Sequence, residues 1–176
     1  MGGEVGVISR PGDGSCFWAE LPLPAAPEGA DAPTPQLDPT ATHGAHVLMV
    51  DDNEVNMMVA VAQLEQAGVR VGQAVDGRQA LDAVAAAEAE GDPYDLVLMD
   101  LQMPVLSGYE VTVELRRRYT PEQLPIVAHT AAALVSVRDQ ALAAGMNDFL
   151  PKPTPVEQLR AAVARWARSR RLHGSR

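Results

Sequence analysis

Between residues 46 and 170 the chain alternates short apolar runs with longer, mixed stretches. The runs are HVLMV (46–50), VRVGQA (69–74), DLVLM (95–99), PIVAH (125–129) and DFL (148–150). Short, nearly unbroken apolar runs are the pattern of strands buried on both faces. The stretches between them, 53–67, 77–90, 108–118, 135–144 and 155–170, are long enough for helices. Asp76 and Ser107 stand where N-caps are expected, and Gly68 and Gly145 where helices should stop. Five strand–helix pairs, (βα)5, predict an α/β domain with a parallel sheet covered on both sides.

Upstream the pattern changes. GGEVGVISRPGDGSCFWAELPLP (2–24) predicts two strands joined at Pro11-Gly12-Asp13-Gly14. A lone hairpin is marginally stable in water, so this one is expected to be the end of a larger unit, in a fragment begun at an internal methionine. Residues 25–45 hold four prolines and one large apolar residue, too little to offset the entropy of ordering, and predict a semi-extended, disordered linker. The expected division is 1–24 hairpin, 25–45 linker, 46–170 main domain and 171–176 tail.

Composition narrows the partners. Aromatics are only 4% of the 176 residues, so the core must be built from Val, Leu, Ala and Met. Residues 1–156 carry 8 basic and 22 acidic groups, whereas 157–176 carry 6 and 1. An acidic main body argues against nucleic acid or an anionic membrane as partner, and the basic end fits a solvated last helix. The single cysteine, Cys16, excludes an intrachain disulfide and fits a reducing compartment. The first residues lack the pattern of a signal peptide, and no apolar run approaches the roughly 18 residues of a membrane span. A cytoplasmic location is expected, with a membrane anchor elsewhere in the parent left open.

Candidate chemistry sits at the strand ends, where parallel sheets bind ligands. The first run ends in Asp51-Asp52, the third in Asp100 and the fourth in Thr130, while the fifth leads into Lys152. Lys152 is the only lysine beside thirteen arginines, caught in FLPKPTP (149–155). Three convergent carboxylates repel one another unless a cation neutralises them, and Mg2+ suits such a set because it keeps water positions open for a phosphate. An Asp carboxylate so placed can take a phosphoryl group in line, with a hydroxyl and a compact ammonium meeting its oxygens. Each residue alone has a plainer role: Asp51 and Asp52 as helix caps, Asp100 and Thr130 as turn residues, Lys152 as a surface cation.

The motifs VLMVDDNEVN (47–56), LVLMDLQMPVLSGYE (96–110), IVAHTAAA (126–133) and AGMNDFLPKP (144–153) together resemble the receiver domain of two-component response regulators, over residues 45–170. The resemblance implies a flavodoxin-like, doubly wound sheet of strand order 2-1-3-4-5. It implies Asp100 as phosphoacceptor, Asp51, Asp52, Asp100 and the Gln102 carbonyl as Mg2+ ligands, and Thr130, Phe149 and Lys152 as the switch hydroxyl, switch aromatic and phosphate-pairing lysine. Gln102 and Ala132 match the positions that tune the lifetime of the acyl phosphate, and the Lys152-Pro153 peptide is expected to be cis. Residues 1–24 resemble the last strand pair of a histidine-kinase ATP-binding domain, but the phospho-histidine helix and earlier nucleotide boxes have no counterpart. The parent is thus expected to be a hybrid histidine kinase, of which this chain retains only receiver self-phosphorylation and dephosphorylation.

The partners implied are a kinase phosphohistidine domain as donor and a histidine phosphotransfer protein as onward acceptor. With Ala60, Leu64 and Ala67 facing the sheet, Met57, Met58 and Val61 are expected nearer solvent as an adaptable docking stripe, although methionine and valine at this spacing also suit a core. Two other functions use the same residues. An aspartyl phosphatase wants a second acid two residues after its nucleophile, where Gln102 stands; a non-phosphorylated interaction module would be expected to have lost one of the acids, Thr130 or Lys152.

Overall fold

The computed structural model describes residues 4–10, 14–20, 42–131 and 134–173. The chain divides into two compact units, Met1–Gln36 and Leu37–Arg176. In the first, β1 (Glu4–Arg10) and β2 (Gly14–Glu20) pair antiparallel, from Glu4 opposite Glu20 to Arg10 opposite Gly14. Residues 11–13 of the expected turn, residues 21–24 of the expected hairpin and residues 25–41 of the expected linker lie outside the described residues.

The second unit opens with β3 (His46–Val50), α1 (Glu54–Gln66), β4 (Arg70–Ala74) and α2 (Gly77–Ala89). It continues with β5 (Leu96–Met99), α3 (Gly108–Arg116), β6 (Ile126–Thr130), α4 (Val135–Ala143), β7 (Asp148–Pro151) and α5 (Val156–His173). The five strands form one sheet in the order β4-β3-β5-β6-β7, every neighbouring pair parallel. This is the expected doubly wound arrangement.

Strand alternation divides the core into two layers. Val47, Met49, Leu98 and Val127 meet Ala60, Leu64, Leu159 and Val163 of α1 and α5. Leu48, Val50, Met99 and Ile126 meet the other side, with Ala80 and Val84 of α2 and Val111 of α3. Truncating Leu48, Leu64 or Leu98 to alanine should cost about 2–5 kcal/mol.

Local chemistry sets the helix ends. Asp76 accepts from Gln79 N–H at 2.8 Å, and Ser107 forms a capping box with Glu110. Gly68 and Gly145 have φ of 74° and 98°, as left-handed stops require. The cap of α1 is Asn53, whose Oδ1 receives the N–H groups of Val55 and Asn56.

Ordered contacts extend past both ends of the expected 46–170 span. Among the described residues, Thr42 is buried and donates its hydroxyl to Ala67 O at 2.7 Å, and Gly44 N–H donates to Gly68 O at 2.9 Å. These bonds satisfy carbonyls at the C-terminus of α1 that would otherwise lack partners. At the other end α5 runs to His173, past the expected limit of 170.

The expected docking stripe also changes. Met57 and Val61 are buried with Ala60 and Leu64, because positions 57, 60, 61 and 64 form one helical face. Of the three residues expected near solvent, only Met58 is there. Its neighbours on the exposed face are Val55 and Val59, and the three are 72%, 69% and 52% exposed.

Candidate functional site

The site is built at the C-terminal rim of the sheet, on residues that continue its strands. Asp51 N–H donates to Ala74 O at 3.1 Å and Asp100 N–H to Val50 O at 2.9 Å, so the parallel ladder carries both acids one step past their strands. Each carboxylate is then oriented by the backbone two residues on. Asn53 N–H donates to Asp51 Oδ1 at 3.0 Å, and Gln102 N–H to Asp100 Oδ1 at 3.1 Å.

The second oxygen of each acid meets the same cation. Lys152 Nζ lies 2.5 Å from Asp51 Oδ2 and 2.6 Å from Asp100 Oδ2. Asp51 is fully buried, Asp100 nearly so, and Asp52 is exposed beside them. Ligand oxygens of the three acids all lie within 4.8 Å of one another. One ammonium against three carboxylates leaves a formal charge of −2 on the cluster.

The other expected residues surround this cluster. Thr130, fully buried, ends β6, and its carbonyl accepts Lys152 N–H at 2.9 Å. Phe149 on β7 is half-buried, packed against the core layer under α2 and α3. Gln102 is exposed next to Asp100. The Lys152-Pro153 peptide is cis. Ala132 lies outside the described residues.

Two features of the rim escaped sequence reasoning. Val105, 97% exposed in the loop after Asp100, has a φ of 68°, and Leu106 N–H closes a γ-turn onto Pro104 O at 2.8 Å. A β-branched residue in that region is strained. His129, one residue before Thr130, is 5% exposed and bonded through Nε2 to Thr154 Oγ1 at 3.1 Å. Burial first, and then the charge of Lys152, push its pKa down to about 4. The one signal in the sequence was a polar letter inside the apolar run PIVAH. Between α1 and the segment after β7 lies a groove of about 360 Å³, lined by Asn56, Val59, Gln63, His129, Lys152 and Thr154 among others.

Residues 47–164 match the family model of the response regulator receiver domain. The chain belongs to that family. Over 166 residues this receiver is 35% identical to the aerobic respiration control sensor protein ArcB of Escherichia coli K12, across 94% of this chain and 21% of ArcB. It is 37% identical over 131 residues to the sensor histidine kinase GacS of Pseudomonas protegens, across 72% of this chain and 14% of GacS. The chain thus spans about a fifth or less of the length of these relatives. Among solved structures, the receiver domain of the sensor histidine kinase PA1611 from Pseudomonas aeruginosa PAO1 is 42% identical with a TM-score of 0.60, over 70% of this chain and 98% of that one. That domain holds a magnesium ion coordinated in its active-site cleft. The chemotaxis response regulator CheY4 of Vibrio cholerae is 30% identical with a TM-score of 0.60, over 69% of this chain and 98% of CheY4. The receiver is accordingly of the kind carried by hybrid sensor histidine kinases, in two-component phosphorelay signalling. Among the described residues no helix is long and apolar enough to cross a membrane.

Proposed function

We propose that this receiver accepts a phosphoryl group on Asp100 from a phosphohistidine and passes it onward to a histidine phosphotransfer protein. The observation that carries the proposal is the bridging of Asp51 and Asp100 by Lys152, with Asp52 alongside. Asp100 Oδ2, now paired with the ammonium, attacks phosphorus in line. The bond from phosphorus to the donor nitrogen breaks, its electron pair leaves with the imidazole, and an acyl phosphate remains. Lys152 follows the charge from carboxylate to phosphoryl oxygen, and the Thr130 hydroxyl turns to a second oxygen. Phe149, half-buried one strand away, occupies the space into which such a rearrangement propagates.

A hard cation fits the residues present, since the donors are carboxylate oxygens with no histidine or cysteine among them and a charge of −2 is left uncompensated. Asp51, Asp52, Asp100 and the Gln102 carbonyl would hold Mg2+. When bound it would neutralise charge on the phosphoryl oxygens. Gln102 and Ala132 would set how fast water reaches the acyl phosphate. The docking face for both phosphohistidine partners is Val55, Met58 and Val59 on α1, beside the groove that reaches Lys152.

The hairpin at residues 1–24 is read as the end of a kinase ATP-binding domain, supported by an ArcB match that takes in 94% of the chain. A cytoplasmic setting fits the single cysteine. The test is incubation with Mg2+ and acetyl phosphate, followed by intact mass. A phosphorylated species that is absent from Asp100→Asn is expected; an unlabelled wild type would overturn the acceptor role.

A further inference from the structure

His129 is a buried histidine that the acid cluster does not use. It stands in β6, and strand alternation places its side chain on the face it shares with Val127, toward α1 and α5. Its hydrogen bonding fixes its tautomer. Thr154 Oγ1 has one hydrogen and donates it to Pro151 O at 2.7 Å. The 3.1 Å bond between Thr154 Oγ1 and His129 must then run the other way, with Nε2–H as donor. Nδ1 is left as a buried acceptor without a partner among the described residues.

Fold stability does not account for this arrangement. A buried unpaired acceptor costs stability, and a leucine would fill the same volume without one. What the bonds do is bracket Lys152. Pro151 is held before it and Thr154 after it, while its own N–H is held by Thr130 O at 2.9 Å. We infer that His129 is a positioning residue: through Thr154 it clamps residues 151–154 onto β6 and so sets the direction in which Lys152 presents its ammonium to Asp51 and Asp100. A small misdirection of a group that meets charge developing in a transition state slows the reaction with little change in binding elsewhere. That functional half rests on the role proposed above for Lys152; the clamp itself does not.

Because Lys152 is the only lysine, the full chain grown on isotopically labelled lysine gives a single lysine side-chain NMR signal. In the wild type this signal should be displaced from that of free lysine. In His129→Leu and in Thr154→Val it should move toward the free value. The double variant should move no further than either single, since a chain of bonds breaks once. His129→Gln, which keeps an N–H donor, should return at least half of the displacement. An unmoved signal in both single variants, or additive shifts in the double, would overturn the clamp even if Asp100 were never labelled. The second measurement is phosphorylation by acetyl phosphate at saturating Mg2+. Both single variants should be slower by about tenfold, with the Mg2+ dissociation constant within about twofold of wild type. A moved lysine signal with an unchanged labelling rate would leave the clamp standing and remove Lys152 from the phosphoryl reaction.

Discussion

Replacing Lys152 by methionine keeps the stem and removes the charge, and the structure sets what that should cost. The ammonium lies 2.5 and 2.6 Å from two carboxylates, with side-chain exposures of 11% for Lys152, 0% for Asp51 and 9% for Asp100. At an effective dielectric of about 20, each pair of charge centres roughly 4 Å apart attracts by about 4 kcal/mol. Dehydrating the ammonium offsets much of that sum. What remains on removing one partner from a buried ion pair is about 3–5 kcal/mol, because Asp51 and Asp100 are left buried at a formal charge of −2. That is a large part of the roughly 5–15 kcal/mol that holds a domain together. Urea unfolding followed by circular dichroism, in EDTA and again in Mg2+, measures the loss. A cation bound only by the folded state adds RT ln(1 + [Mg2+]/Kd), about 2.7 kcal/mol at a hundred times Kd. With its competing ammonium gone, Lys152→Met should bind Mg2+ more tightly and gain more from it than the wild type, so the two curves converge as Mg2+ rises. Equal midpoints in EDTA, or a smaller Mg2+ gain in the variant, would refute this account of the cluster.

Three further outcomes follow from other contacts. Arg116 donates to Gly145 O, Leu124 O and Asn147 Oδ1 at 2.8–2.9 Å, so Arg116→Met should cost about 3 kcal/mol in thermal unfolding and leave Asp100 phosphorylation near its wild-type rate. His129 has a folded pKa of about 4, below its unfolded value of 6.5. The unfolded chain therefore binds the extra proton between those values. This contribution is full above pH 6.5 and declines by up to about 3 kcal/mol as pH falls to 4. A pH series of urea midpoints should show that decline in the wild type and lose it in His129→Leu. Val105→Gly should raise stability by about 1 kcal/mol by relieving the positive φ, and a fall would show that the exposed valine side chain contributes packing.

The strands were legible because burial on both faces leaves unbroken apolar runs, and four of them carry the acids, the hydroxyl and the lysine on their last residues or just beyond. Asp76, Ser107, Gly68 and Gly145 were legible because a cap or a left-handed stop is a local event. Helix α1 was harder. Val55, Met57, Met58, Val59, Ala60 and Val61 put apolar groups on every face, so its phase was ambiguous until the sheet chose Met57, Ala60, Val61 and Leu64. Residues 42–45 carry the small and polar composition of a linker, yet Thr42 is buried by a bond to Ala67, 25 residues away. The bond from His129 to Thr154 spans the same separation and left only an odd letter in an apolar run.

The bond from Thr42 to Ala67 also fixes the rim at which these residues join the sheet. Thr42 joins the fold at the C-terminus of α1, beside the start of β3, and Trp166 of α5 donates to Asp148 at the start of β7. Both the chain that leads in and the chain that leads out are thus fastened at the rim opposite Asp100. A five-residue strand separates the two rims, about 17 Å at 3.3 Å per residue. The acid cluster thus stands at the rim that carries neither fastening, and a second molecule can approach Asp100 without meeting the contacts that hold Thr42.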